Sequence, residues 1–363
     1  MVVAAPSPLA AEDLVHVHGG EPGIRRERHG RRFVYLDAGG DTVKDQNTLE
    51  RIDALRIPPA WTDVWIAATP NAHLQATGLD SKGRRQYLYH PAWRLRRDQE
   101  KFDDMLSFAE RLPALRRTVA SHLLEAHLLD RERALALALR LLDVGMFRVG
   151  WDRYARDNGH VGLTTLRRDQ VSLSGGAAVF DFVGKAGKRR RMTVRDAQSL
   201  RVLRALRRRR GEPVELIAFR TPQGWRRIHA ADVNNGLRCW AKGPYSAKEF
   251  RTWAGTVLAA VALAREHEAG KHGARAVSRA VRQVSRALGN TPTVARQSYI
   301  DPRVIESYER GDVIALPPDL EEAAAPRVLE LDHGGVVIEL PADVVDDAAR
   351  AEVERRVREL VSP

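Results

Sequence analysis

The sequence predicts an α+β chain, with a small β-rich N-terminal domain over residues 21–95 and a mainly helical domain over residues 96–312. Three observations predict it. Up to about Tyr89, short alternating stretches ("FVYLD", "VWIAATP", "QYLYH") are separated by turn residues such as "AGGD". After that come long segments with helical spacing and helix caps, broken once by a glycine-punctuated β stretch. The charge also changes sign along the chain. Of 59 basic and 47 acidic residues, 5 basic and 13 acidic lie in residues 312–363, a balance of −8. The first 311 residues therefore hold 54 basic against 34 acidic, or +20. Residues 313–363 are thus set apart as an acidic C-terminal extension, and residues 1–20 as a loosely ordered start.

The N-terminal stretch "MVVAAPSPLAAEDL" has no basic segment ahead of an apolar one, and it carries Glu12 and Asp13, so no secretory signal is expected. No apolar run approaches the ~20 residues of a membrane span. The single cysteine, Cys239, excludes a disulfide framework and a Cys-rich zinc site, suits a reducing cytoplasm, and reads as a buried small hydrophobe. In the small domain "NTLERIDAL" reads as a short helix, with Asn47 as cap and Glu50 at the third helical position.

"WRLRRDQEKFDDMLSFAERL" reads as the helix that crosses into the second domain. "RALALALRLLDVGMF" is apolar nearly all round, as a core helix should be. "VSLSGGAAVFDFVGKAGKRRRMTV" predicts a three-stranded meander turning at Gly175–Gly176 and at "GKAGK". Ser246 and Glu249 form a capping box opening a helix to about Glu266, with Phe250, Trp253, Val257, Val261 and Ala264 on its buried face. "ARAVSRAVRQVSRAL" is a helix stopped by Gly289. Thr291–Pro292 restarts one, with the cap and the proline in their favoured places, and that helix carries Tyr299. In the tail, Pro317–Pro318 and "EEAAAP" read as a linker, "RVLELDHGGVVIELP" as a hairpin around Gly334–Gly335, and "DVVDDAARAEVERRVREL" as a terminal helix.

The basic excess predicts a polyanionic partner, nucleic acid before anionic membrane. No P-loop pattern is present, no acidic cluster suits paired magnesium ions, and His267 and His272 lack zinc spacing. No cofactor is therefore expected. Metal-free chemistry on a phosphodiester needs a nucleophile that survives as an ester, cations around the phosphoryl oxygens, and an acid for the leaving oxygen. Tyrosine suits the first if nearby positive charge lowers its pKa from ~10. Arginine suits the second because its planar fork stays charged. Lysine on a hairpin suits the third.

These residues carry a resemblance. "LRIPPAWTDVWI" and "GLDSKGRRQYLY", followed in order by "MFRVG", "HVGLTTL", "FVGKAGK", "AKEFRTWAG" and "LGNTPTVARQSY", resemble the type IB DNA topoisomerases of the short poxvirus and bacterial kind, over about residues 25–310. The resemblance implies the tyrosine recombinase/type IB topoisomerase catalytic fold, two domains forming a clamp around duplex DNA, and relaxation of supercoils without ATP or metal by a monomer associated with the nucleoid. It implies Tyr299 as the nucleophile forming a 3′-phosphotyrosyl bond, and Arg148 and Arg251 as clamps on the nonbridging oxygens. Lys185 would be the general acid, with Lys188 three residues on as a competing candidate. Tyr154 and Lys248 would be DNA contacts. Gln86, Tyr87 and Tyr89 would touch the major groove, with Lys82, Arg84 and Arg85 adding phosphate contacts.

Asn290 stands where many relatives have histidine. Two readings remain open at this stage: a donor to phosphate that cannot shuttle protons, or a residue that merely shapes the turn after Gly289. On an unbroken helix Asn290 and Tyr299 would stand ~13 Å apart, so a shared phosphate requires a bend between them or a swing of Tyr299. Arg251, one residue after Phe250, is expected off the apolar stripe, where a solvated salt bridge is its ordinary role. The rival activity is a tyrosine site-specific recombinase, although Lys248-x-x-Arg251 replaces the usual H-x-x-R. A non-catalytic DNA-binding protein is the rival from another class.

Overall fold

A computed structural model describes residues 13–30, 32–124, 129–317, 327–331, 335–339 and 347–362. The start of the chain through residue 12, all of "EEAAAP", Gly334 and the first four residues of "DVVDDAARAEVERRVREL" lie outside the described residues. The chain divides into two compact units, Met1–Asp103 and Asp104–Pro363.

The first unit is built on one antiparallel sheet of β1 (Gly23–His29), β2 (Arg32–Leu36), β3 (Thr62–Ala67), β4 (Leu74–Leu79) and β5 (Arg85–Tyr89), in the order β2-β1-β3-β4-β5. Registry carries one row of apolar residues across it. Ile24 faces Ile66, Ile66 faces Ala76, and Ala76 faces Leu88. Helix α1 (Gln46–Ala54) adds Ile52 to that row, and Tyr35, Val43 and Trp61 pack around it. The cap of α1 is Asp45, whose carboxylate accepts from the Thr48 amide at 2.8 Å, while Asn47 lies inside the helix. The sequence holds two competing cap residues two positions apart, and the earlier one takes the role.

Helix α2 (Pro91–Leu124) is longer than its periodic stretch suggested and includes Pro113. In the second unit, α3 (Arg131–Gly145) is buried along nearly its whole length, as its all-round apolar sequence requires. The short α4 (Asp152–Asn158) follows α3 in the chain, α5 (Ala197–Arg208), α6 (Ala230–Ala241) and α7 (Ala247–Glu268) pack on α3, and α8 (Ala274–Leu288), α9 (Pro292–Tyr299) and α10 (Pro302–Arg310) pack on α7. Phe108 of α2 packs edge-on against Phe250 of α7, with ring centroids 5.0 Å apart. Cys239 is exposed on the outer face of α6, because Val233, Gly236 and Leu237 take the buried positions. It is not the buried hydrophobe the sequence suggested.

The expected meander is present as β6 (Val171–Ser174), β7 (Ala177–Val183) and β8 (Arg189–Val194). The acidic extension joins the same unit. Its hairpin, β11 (Arg327–Leu331) and β12 (Gly335–Glu339), extends this sheet, with β12 parallel to β8. Strands β9 (Ala218–Thr221) and β10 (Gly224–Arg227) form a separate ribbon. The last helix, α11 (Asp347–Val361), buries Val353, Val357 and Val361 and brings Glu354 to Arg116 at 2.7 Å. Arg116 also holds Asp143 at 2.9 Å, and Arg350 reaches the same carboxylate at 2.6 Å. A buried ion cluster thus ties α11 to the last turn of α3.

Candidate active site

The site begins where α3 ends. Met146 takes a left-handed conformation (φ 50°), which turns the chain so that Phe147 enters the core and Arg148 leaves it half-buried. The segment is held against "HVGLTTL" by backbone pairing. The Leu163 amide donates to the Arg148 carbonyl at 2.8 Å and the Thr164 amide to that of Val149 at 2.8 Å. Two glycines permit this approach. A side chain on Gly162 would lie 2.4 Å from the Cα of Gly150, and Gly150 itself has φ +85°. One hydrogen bond further, the Val161 amide donates to Val183 at the end of β7, so the Arg148 segment is fixed to the Lys185 hairpin.

That hairpin turns through a short 3-10 segment, Lys185–Gly187, closed by the Gly184 amide on the Lys188 carbonyl at 2.9 Å. Both lysines are exposed, but Lys185 lines a narrow crevice together with Arg148 and Arg190, and Lys188 does not. That placement favours the earlier of the two candidate acids.

Helix α7 brings Arg251. Ser246 caps the helix, with its hydroxyl donating to Glu249 at 2.8 Å. Arg251 is only 3 % exposed, so it does not make the solvated salt bridge that is the ordinary alternative to a phosphate clamp. The fourth and fifth residues of α7 are both enclosed, because the helix is covered on more than its apolar stripe. The Arg251 guanidinium donates to the Leu288 carbonyl at 2.8 Å and also to the Met146 carbonyl. Arg190 of β8, 6 % exposed, donates to Leu288 at 2.8 Å and to Ala287 at 2.9 Å. These carbonyls close α8, where they have no partner within the helix and where its dipole is negative. The helix end thereby offsets part of the cost of burying two guanidinium groups. Burial first, and repulsion from Arg148 second, push Arg251 down to about 10. Burial also lowers Arg148, against the opposing effect of Tyr299.

Between α8 and α9 the chain turns. Gly289, not Asn290, takes the left-handed conformation, with φ 62°. The Asn290 amide donates back to Ser285 at 2.9 Å, and its side-chain oxygen accepts from Arg148. Because arginine only donates, the carboxamide NH2 must point elsewhere. Its Nδ2 is buried and has no hydrogen-bond partner among the described residues, and the same is true of Nε in Arg190 and Arg251.

Helix α9 opens with the Thr291 cap and Pro292 and ends on Tyr299, which is half-buried. The Tyr299 backbone rests on α7. A side chain at Gly255 would lie 2.4 Å from the Tyr299 carbonyl oxygen, and the Thr256 hydroxyl receives the Asp301 amide at 3.1 Å. The Arg251 guanidinium carbon stands 5.2 Å from the centre of the Tyr299 ring. Burial pushes the Tyr299 phenol up, but Arg251, Arg148 and the more distant Lys248 outweigh it and hold its pKa below the usual value. Lys248 itself is exposed on the first turn of α7, and Tyr154 lies on α4, where only its backbone placement is described.

In the first unit, the pleat of β5 sorts the expected DNA contacts. Arg85, Tyr87 and Tyr89 are exposed on one face, with the Tyr87 and Tyr89 rings stacked at 6.2 Å. Gln86 points to the other face and donates to Asp80 at 3.0 Å. Lys82 lies in the exposed β4–β5 turn, Arg84 pairs with Asp80 at 2.6 Å, and Arg85 pairs with Asp63 at 2.8 Å. Sequence reasoning missed Arg190. It lies in the run "KRRR", where nothing distinguishes the one arginine that strand alternation turns inward.

Comparison with known proteins gives the family. The family described as "Eukaryotic DNA topoisomerase I, catalytic core" matches residues 90–312, and the chain belongs to that family of DNA topoisomerases. More particularly, residues 32–80 match "Bacterial DNA topoisomerase IB, N-terminal domain", and the chain is a type IB DNA topoisomerase, an isomerase that binds duplex DNA. The chain is similar to the DNA topoisomerase 1B of Acanthamoeba polyphaga mimivirus, at 29 % identity over 79 % of this chain and 88 % of the relative. It is also similar to the DNA topoisomerase 1 of Rabbit fibroma virus (strain Kasza), at 22 % over 76 % and 89 %. Among the described residues no helix is long and apolar enough to cross a membrane.

Proposed function

We propose that the enzyme relaxes supercoiled DNA by transient cleavage of one strand, with Tyr299 as the nucleophile. The observation that carries the reading is a pair of buried donors with no hydrogen-bond partner among the described residues, one on Arg251 beside the Tyr299 ring and one on Asn290 beside Arg148. Nε of Arg251 and Nδ2 of Asn290 are costly to bury without an acceptor, and a phosphate in contact with Tyr299 would supply one. Tyr299 loses its phenol proton to water, under the field of Arg251, Arg148 and Lys248. The phenolate then attacks the phosphorus, and the bond to the 5′ oxygen breaks. Lys185 protonates that oxygen, leaving a 3′-phosphotyrosyl ester and a 5′-hydroxyl. Arg148 and Arg251 stabilise the charge that develops on the nonbridging oxygens, with Asn290 as a neutral donor. The broken strand rotates, and the 5′-hydroxyl reverses the steps.

One phosphodiester is exchanged for another, so the bond energy is retained and ATP has no role. Fixed cations supply the charge that a metal provides in other phosphoryl-transfer sites. Duplex DNA is held by both units of a monomer, with the Tyr87–Tyr89 face and Lys82, Arg84 and Arg85 contributing from the first unit and Tyr154 and Lys248 from the second. The place of action is the cytoplasm, at the nucleoid. The test is plasmid relaxation in EDTA without ATP, using wild type and Tyr299→Phe. Relaxation by wild type, and DNA binding without a covalent adduct by Tyr299→Phe, are expected. A wild-type protein that binds plasmid but leaves it supercoiled would refute the mechanism, and strand exchange between two specific sites would favour a recombinase.

A further inference from the structure

Arg190 belongs to none of the roles described above, yet it occupies the centre of the site. It stands on β8 opposite Phe182 of β7, five residues after Lys185, so it moves with the hairpin that carries the acid. Its two terminal nitrogens hold the Leu288 and Ala287 carbonyls at 2.8 and 2.9 Å. Those carbonyls immediately precede Gly289 and Asn290 and the helix that ends on Tyr299. Gly289 is fitted to this contact as well as to its left-handed backbone, since a side chain there would lie 2.3 Å from Nη1 of Arg190. Arg190 and Arg251 share the Leu288 carbonyl, and Arg190 lines the same crevice as Arg148 and Lys185.

A third buried guanidinium beside two others is an unfavourable place for a charge. Burial, and then the fields of Arg251 and Arg148, push Arg190 down to about 9. Stability alone does not call for this arrangement, because a buried ionic group replaced by a well-packed apolar one is often neutral or better for the fold. The fork does one thing an apolar side chain cannot. It fixes the distance between a β hairpin and a helix end through two directional bonds.

We propose that Arg190 is a positioning residue that couples the Lys185 hairpin to the Asn290–Tyr299 segment, holding the acid and the nucleophile on opposite sides of one phosphate. The inference rests on the cleavage reading above, and it goes beyond that reading by assigning the element that sets the spacing between the two groups.

The experiment measures single-turnover adduct formation on two short duplexes, one ordinary and one with sulfur replacing the scissile 5′ oxygen. Sulfur leaves as a thiolate and needs no acid, so it bypasses Lys185. Arg190→Met, and Arg190→Lys as a variant that keeps the charge without the fork, are compared with wild type, and duplex affinity is measured in the Tyr299→Phe background. Both variants are expected to bind DNA normally, to lose on the order of 10²-fold on the ordinary duplex, and to recover much of that loss on the sulfur duplex. Native rates on the ordinary duplex, equal losses on both duplexes, or a loss explained by weaker binding would each overturn the proposal. If Arg190→Met fails to fold, the Lys variant decides alone. A wild type that forms no adduct on either duplex refutes the cleavage reading instead, so the two failures are distinguishable.

Discussion

The side-chain oxygen of Asn290 accepts a hydrogen bond from Nη2 of Arg148, across 142 residues of sequence. This contact orients the carboxamide and leaves its NH2 as a buried donor without a partner among the described residues. Asn290→Ala removes both functions, and single-turnover cleavage should fall by ~10²–10³-fold with DNA affinity little changed. Asn290→Asp should be worse than alanine, because it keeps the Arg148 bond but sets a carboxylate against the phosphate. Cleavage by the alanine variant at the native rate would reduce Asn290 to a spacer in the turn.

A second expectation concerns pH. The phenolate is the attacking form, and a phenol pKa held below ~10 makes it available earlier as pH rises. The cleavage rate should therefore increase with pH and level off below the range of an ordinary tyrosine. No inflection of histidine type should come from position 290. Lys248→Met removes one of the charges that depress the phenol, so the inflection should move up and the rate at pH 7 should drop, by less than about tenfold because Lys248 is exposed and screened. A pH–rate profile superimposable on wild type would show that Tyr299 does not sense this lysine.

The seat of the nucleophile can be probed at Gly255. Its α-carbon faces the Tyr299 carbonyl, and an added methyl would come within 2.4 Å of that oxygen and 3.0 Å of the Tyr299 Cβ. Gly255→Ala should displace the end of α9 and reduce adduct formation by at least tenfold, since misplacement by ~1 Å can cost 10²-fold. Binding to duplex DNA should persist. Normal adduct formation would mean that α7 and α9 can separate without consequence.

Stability should depend on the cluster that ties α11 to α3. Glu354→Ala strips Arg116 of one of two carboxylates in a buried setting, and urea unfolding should show a loss of about 3 kcal/mol, the lower end for such a break because Asp143 remains. Burial would raise the Asp143 carboxyl, but Arg116 and Arg350 hold it well below the usual range. A depressed carboxyl contributes stability that is fully present above its unfolded value of ~4 and is lost as pH falls further. An acid-unfolding midpoint in Asp143→Asn equal to that of wild type would remove the cluster from this account.

Much of the architecture was legible from spacing and caps. The meander, the Gly289 stop, the Thr291–Pro292 restart and the Ser246 box all rest on local backbone chemistry, which a sequence carries openly. What escaped depends on contacts far apart in the chain. Arg251 lies next to Phe250 and looked solvated, because the apolar stripe of α7 does not reveal that neighbouring segments cover the adjacent face. Arg190 is one of three consecutive arginines, and only strand pairing decides which of them turns inward. Asn290 could be read as a phosphate donor or as a turn residue, and only the fold shows that Gly289 takes the left-handed angle while the asparagine meets Arg148. Cys239 and Asn47 erred for smaller reasons, a helix face misjudged and a competing cap two residues earlier.

The attachment of α11 also orders events in time. The partners of the cluster are separated by 207 and 238 positions, so the grip on the last turn of α3 closes only after residue 354 has been translated. By then Arg148, Lys185, Arg251 and Tyr299 have all been synthesised. A nascent polypeptide thus holds every reactive side chain for some time before the last turn of α3 is gripped by α11. Contacts so distant in sequence form late in folding.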